Sequence, residues 1–351
     1  MGCDTFLVVA VLLACALGAR ACPCTHASLC GPLSQPPSGP ELFVFTVNPA
    51  GFQGFNWTYI TTVAAFFPLE QHPELLCAAH ARGVRVVTKA SPFPVANLSS
   101  SADRAAWVQS QVKTMQAVGA DGINVDIEEP IMISSQAKDL TSLVSALRDA
   151  AHAVNPMAQV SFDVAWGPGG VDERVYDYAG LAKATDLLFV MGYDERSQVW
   201  GSGPCVAGAN AGLKQTESGL DAYLRLGIAG TQLVAGSPWY GRLYPCLSLD
   251  GSTCTVQSVP FRGCNCSDAV SSEIGYSGIQ PPPGALQWDE ASSSPFFDVN
   301  GTHQMWYDDP RSLRLKYAAA RARGVGGVGM WTGDFSTATS MWAAFDAFFK
   351  D

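Results

Sequence analysis

The chain has 351 residues, 48% hydrophobic and 15% charged, enough apolar material for one large barrel or two smaller domains. A formal charge of -10 and a pI of about 4.9 make it a poor partner for nucleic acid, and no run of Lys or Arg argues otherwise. The apolar run Phe6 to Leu17 is too short to span a bilayer and no later stretch is long enough, so no membrane partner is expected.

That first run suits the apolar centre of a secretory signal, with small residues at Ala19 and Ala21 for cleavage. The expectation is a signal peptide over 1–21 and a single domain over 22–351. Removing Cys3 and Cys15 with the signal leaves nine cysteines, and secretion favours disulfides. Nine is odd, so at least one thiol is free or pairs elsewhere; one chain does not fix the connectivity. Cys22, Cys24, His26 and Cys30 match no common zinc spacing, so no metal is expected. Asn56, Asn97, Asn265 and Asn300 each open an Asn-x-Ser/Thr sequon and are expected glycan sites.

From Leu42 short apolar runs alternate with amphipathic stretches. Strands are predicted over 42–47, 61–67, 84–88, 122–128, 160–165, 187–192, 232–236 and 325–331. Helices are predicted over 73–83, 172–184, 220–226 and 312–323. Val108, Val112, Met115 and Val118 mark a further helix face, as do Leu140, Leu143, Leu147, Ala151 and Val154. Strand-then-helix order implies parallel strands with right-handed crossovers, and eight such units imply an α/β fold, a (β/α)8 TIM barrel. A doubly wound open sheet is the alternative, but no Gly-x-Gly-x-x-Gly follows the first strand. The Cys-, Pro- and Ser-rich segment 241–306 breaks the alternation and is expected to be an insertion between strands seven and eight.

Within the fourth strand, Ile123, Val125 and Ile127 alternate with Asn124, Asp126 and Glu128. A side-chain period of two puts the amide and both carboxylates on one face. Burying two carboxylates is costly without partners or function, so the column reads as a working site at a barrel mouth. A plain Asp-Gly turn with exposed acids, or a hard-cation site, are the other readings. The two carboxyls would lie roughly 6 to 7 Å apart and resist double ionisation, so one keeps its proton to higher pH. Further strand ends carry Tyr193-Asp194, Trp239-Tyr240-Gly241-Arg242 and Trp331. Carboxylates among Trp and Tyr suit a sugar site.

Asp121-Gly122 through Asp126-x-Glu128 resembles the signature of the family-18 glycoside hydrolases, the chitinase family. Met191-x-Tyr193-Asp194, Tyr240-Gly241-Arg242, and Gly326-Gly327 with Trp331 resemble three more of its motifs. Phe162 to Trp166 and Trp306 to Pro310 are most similar to the family's lysosomal branch. The resemblance implies a lysosomal glycosidase reached through the secretory pathway. It would split the GlcNAc-β1,4-GlcNAc chitobiose core of N-linked oligosaccharides from the reducing end. Glu128 would be the general acid and Asp126 would hold the acetamido group that itself attacks C1. Tyr193 would bond the acetamido carbonyl and Trp331 would form the floor. Asp121, Asp194, Trp239, Tyr240 and Arg242 would be sugar contacts.

The resemblance implies no cofactor, activity that survives a chelator, a monomer, and an N-glycan-derived or chito-oligosaccharide substrate. A chitinase acting on longer chito-oligomers and a non-catalytic chitin-binding lectin are the alternatives. The chain departs from the family at Asn124, where many members carry Asp. Asn cannot ionise, so a weaker coupling of Asp121 to Asp126 and a shifted pH profile are expected. Strand three also lacks the family's Ser-x-Gly-Gly.

Overall fold

A computed structural model describes residues 22–350. The expected signal segment, 1–21, lies outside the described residues. Eight parallel strands close into a barrel in the order β1-β15-β7-β6-β5-β4-β3-β2. They are β1 (Glu41–Thr46), β2 (Thr62–Ala65), β3 (Arg85–Lys89), β4 (Gly122–Val125), β5 (Gln159–Val164), β6 (Leu187–Met191), β7 (Leu233–Pro238) and β15 (Gly327–Trp331). Between β7 and β15 the chain forms β8 (Tyr240–Pro245), β9 (Ser248–Asp250), β10 (Thr253–Thr255), β11 (Ser272–Gly275), β12 (Gln287–Asp289), β13 (Ser294–Val299) and β14 (His303–Trp306). Five of these make an antiparallel sheet in the order β11-β8-β14-β13-β12.

The helices are α1 (Glu74–His80), α2 (Ser101–Val118), α3 (Ser134–Val154), α4 (Tyr178–Ala184), α5 (Leu213–Arg225), α6 (Pro310–Ala322), α7 (Thr339–Ala343) and α8 (Asp346–Phe349). The helix expected over 172–184 forms only from Tyr178; a 3-10 turn at Val171–Glu173 precedes it. Its backbone there is left-handed, which an α-helix cannot accommodate. Among the described residues no helix is long and apolar enough to cross a membrane.

Strand alternation divides the apolar residues into two cores. Leu42, Val44, Val63, Val86, Ile123, Val125, Val160, Phe162 and Val164 face outward to the helices. Phe43, Phe45, Ala64, Val87, Phe189 and Val234 fill the barrel itself. Phe189 packs 5.5 Å from Phe43 and 4.7 Å from Phe45 between ring centroids. It fits only because Gly236 and Gly329 face it; a Cβ there would come within 2.4 Å and 2.7 Å of its ring. The filled interior leaves no axial channel at this level, so a ligand must sit at the mouth.

Among the described residues four disulfides join Cys22 to Cys30, Cys24 to Cys77, Cys205 to Cys266 and Cys246 to Cys254. Among these residues Cys264 is the odd thiol, buried and without a disulfide partner. Asn56, Asn97, Asn265 and Asn300 are all exposed.

Candidate active site

The ladder of β4 ends at Val125, so Asp126 and Glu128 stand beyond the strand rather than on it. The alternation still holds across that end. Ile127 is buried in the outer core, while Asp126 and Glu128 both line a recess of about 200 Å3 at the carboxyl end of the barrel. Phe45, Phe66, Asp163, Met191, Tyr193, Asp194, Tyr240, Glu273 and Trp331 complete it. Trp331 ends β15, and its indole packs 5.4 Å from Phe45 and 5.3 Å from Phe66. That brings a flat apolar surface into the lining of the recess that holds the two acids.

Asp126 is anchored by Lys89 at the end of β3, Nζ to Oδ2 3.0 Å. Glu128 accepts a bond from Arg174, Nη1 to Oε2 2.8 Å, and half of its side chain opens into the cleft. Burial pushes the Glu128 carboxyl up to about 7; the Asp126 charge adds to this and Arg174 opposes it. A carboxyl in that range is still largely protonated in mildly acidic solution, as a general acid requires. The pair titrates jointly. Below them Asp163 of β5 is fully buried, held by Asn124, Nδ2 to Oδ1 2.8 Å. Burial, then the Asp126 charge, lifts Asp163 well above the usual carboxylate range. Asn124 also donates to Ser161 Oγ at 3.0 Å.

Asp194 holds a left-handed backbone, φ 50°, fixed by Asn210, whose Oδ1 accepts its N–H at 2.8 Å. The Tyr240 hydroxyl donates to Asp194 Oδ1 at 2.8 Å, and Arg242 bonds the same carboxylate. Arg242 is therefore a brace for Asp194 and does not itself line the recess. Glu273, on β11, brings an acid from the antiparallel sheet to the recess wall. Burial raises Glu273, and it raises Asp268, beside Arg242, to about 6.

Two expected sugar contacts lie elsewhere. Asp121 is at the opposite, amino-terminal end of β4. Its carboxylate accepts the N–H groups of Leu33 and Val86, each at 2.7 Å, and meets His80 Nε2 at 2.8 Å. The four residues of β4 separate it from Asp126, so the two stand at opposite ends of the strand. Trp239 is wholly buried in the outer core, its ring 4.8 Å from Trp342 and 6.0 Å from Phe345. Both neighbours of Trp239 in sequence are also buried, so alternation alone does not tell which face its ring takes.

Asp163, Lys89, Arg174 and Glu273 were not among the residues expected at the site. For Asp163 a signal existed, since an acid stands alone in the apolar run Val160 to Ala165. For Lys89, Arg174 and Glu273 none did, because they arrive from other elements. A larger groove of about 580 Å3 adjoins the site, sharing Trp166 and Ser197 with the Arg174 side. Neither Asp126 nor Glu128 lines it, so the acid pair belongs to the smaller recess.

The Glycosyl hydrolases family 18 model matches residues 90–335. The chain is 40% identical over 340 residues to the di-N-acetylchitobiase of Mus musculus, covering 94% of this chain and 91% of that protein. It is 42% identical over 325 residues to the di-N-acetylchitobiase of Rattus norvegicus, covering 90% and 87%. A family-18 chitinase from Cycas revoluta in complex with (GlcNAc)4 aligns with a TM-score of 0.71 over 88% of this chain and 99% of that one, at 19% identity, a likeness of fold. An acid pair and an indole lining one recess at the mouth of an eight-stranded barrel, the matched model and these identities agree: the chain belongs to family 18 of the glycosyl hydrolases and is a glycoside hydrolase.

Proposed function

We propose that this hydrolase splits the GlcNAc-β1,4-GlcNAc bond of the chitobiose core of N-linked oligosaccharides, working from the reducing end. Identity of about 40% across nine-tenths of the chain to proteins named di-N-acetylchitobiase supports the substrate class. The observation that carries the chemistry is Glu128, lifted to about 7 by burial and by Asp126 in a recess partly lined by Trp331. Glu128 protonates the glycosidic oxygen as the C1–O bond breaks. The acetamido oxygen of the same sugar attacks C1, the substrate-assisted exception to the two-carboxylate scheme. Asp126, held by Lys89, orients the acetamido N–H and carries the charge opposite the cation. Tyr193, which lines the recess, bonds the acetamido carbonyl; burial raises its hydroxyl well above its ordinary value, so it stays a donor. Water then opens the oxazolinium ion, returns a proton to Glu128 and leaves the configuration retained.

Asp194 and Tyr240, joined to each other in the wall, contact sugar hydroxyls. Glycans occupy the exposed Asn56, Asn97, Asn265 and Asn300, and the monomer works in the lysosome after the secretory pathway. Four disulfides and an acid that needs low pH support that location. The test is release of GlcNAc from an N-glycan core with a free or a chemically reduced terminus. Release only from the free terminus is expected. Equal release from both, or internal cuts in long chito-oligomers, would favour a chitinase; binding without turnover would favour a lectin.

A further inference from the structure

Arg174 stands between the acid and a loop of unusual backbone. Its Nη1 bonds Glu128 Oε2 and its Nη2 bonds Asp172 Oδ2, both at 2.8 Å, and only 7% of its side chain is exposed. The loop enters through Gly170 at φ 79° and continues with Asp172 at 54° and Glu173 at 62°. Two successive non-glycine residues in the left-handed region persist only where their surroundings hold them. Here they do. Gln198 Oε1 accepts Asp172 N–H at 2.8 Å, the Ser197 hydroxyl bonds Asp172 Oδ1 at 2.8 Å, and Arg262 pairs with Glu173 at 2.8 Å.

The same loop grips the backbone around Glu128. Glu173 O accepts Ile131 N–H at 3.0 Å and Ile131 O accepts Val175 N–H at 2.9 Å. The Tyr176 hydroxyl faces the carbonyls of Ile127 and Glu129, at 3.1 and 2.6 Å. Side chain and backbone of Glu128 are thus held from one strained loop.

We propose that Arg174 is the positioning residue for Glu128: its guanidinium occupies Oε2, confines the transferable proton to Oε1, and favours the carboxylate that proton transfer leaves behind. The inference rests on Glu128 being the acid. A guanidinium preformed beside a charge that develops in the transition state lowers the barrier without reorganising. Arg bridges two carboxylates at fixed geometry; a Lys ammonium, a point charge, does not. The other charged or titratable groups around Glu128 are Asp126 and Glu129 on its own segment, Asp163 from β5, Tyr193 and Asp194 from the end of β6, Asp172 and Tyr176 from the loop, and Asp268, Glu273 and Arg262 from the segment between β7 and β15. The acids and tyrosines disfavour the anion or are neutral, Arg262 is paired with Glu173, and Lys89 is engaged by Asp126. Arg174 is the one cation bonded to Glu128 among the described residues.

The test is the pH dependence of kcat and KM for chito-oligosaccharide hydrolysis by the whole protein, its Arg174→Gln and Arg174→Lys variants, and Glu128→Gln as reference. Arg174→Gln removes the downward influence of the bonded guanidinium on the acid. Its alkaline limb should move up by about one unit, and kcat should fall about 10- to 100-fold with KM within threefold. Arg174→Lys keeps the charge, so its limb should stay within about 0.3 unit while kcat still drops severalfold. An alkaline limb that Arg174→Gln leaves in place or moves down would overturn the proposal. Wild-type kcat in Arg174→Lys would do so on its own, even if Arg174→Gln failed to fold. A Glu128→Gln variant with undiminished rate would instead overturn the assignment of the acid.

Discussion

Glu128 has to be an acid while bonded to a guanidinium, and its position near 7 is the balance of those demands. Only the protonated form can donate, so kcat/KM should be full in mildly acidic solution and fall with an alkaline midpoint near that value. Stopped assays from pH 4 to 9 on a chito-oligosaccharide check this; a peak above neutrality would contradict it. Asp126→Asn should lower kcat by about 100-fold or more, since an amide orients the acetamido group without stabilising its positive charge. At this scale the sequence was readable where it carried a column: Asn124, Asp126 and Glu128 share the face their period assigned. It was silent where chemistry depends on reach across the barrel. Nothing in the sequence around Arg174 or Lys89 states that each meets an acid about 40 residues away, because that distance is created only by closure of the barrel.

Among the elements, the amino-terminal end of β4 shows a different use of an acid. Asp121 ties the segment at Leu33, strand β3 at Val86 and helix α1 at His80 to one carboxylate. Asp121→Asn should therefore cost about 1.5 to 3 kcal/mol of stability, the scale of buried bonds to a charged group. It should leave kcat and KM unchanged. Denaturant melts paired with kinetics decide, and a changed KM with unchanged stability would restore it as a sugar contact. Helix α6 carries a second buried charge: Lys316 Nζ lies 2.5 Å from Asp308 Oδ1, both about 1% exposed. Lys316→Met should destabilise by about 3 to 5 kcal/mol because it strands Asp308. The existence and order of the barrel strands were legible from apolar periodicity, whereas the strands of the 240–306 insertion were not. Strand faces were legible only where one face is polar, as in β4; Trp239, just past the end of β7 with buried residues on both sides, gave no such signal.

Across the whole molecule, proton uptake couples folding to the acid conditions that the catalytic group prefers. Glu195 is buried, and burial raises its carboxyl from 4.5 to about 8. Between those values the native state keeps a proton that the unfolded chain has lost. This contribution is complete below 4.5 and disappears as pH rises through about 8. Asp163 and Asp268 act in the same direction. The Tm should accordingly fall by about several degrees from pH 5 to pH 8, and Glu195→Gln should flatten that slope. A Tm that rises across this range would contradict the direction. The TIM barrel was legible from the repeat of strand and helix patterns. The disulfide map was not, since nine cysteines allow many pairings and only the fold brings Cys205 to Cys266, 61 residues apart.

The most direct measurement is the rate at which wild type and Glu128→Gln release GlcNAc from a chito-oligosaccharide at pH 5, with folding of both checked by circular dichroism. If Glu128 is the proton donor, the folded variant should lose about 100- to 10,000-fold in kcat. A folded variant that works at the wild-type rate would contradict it.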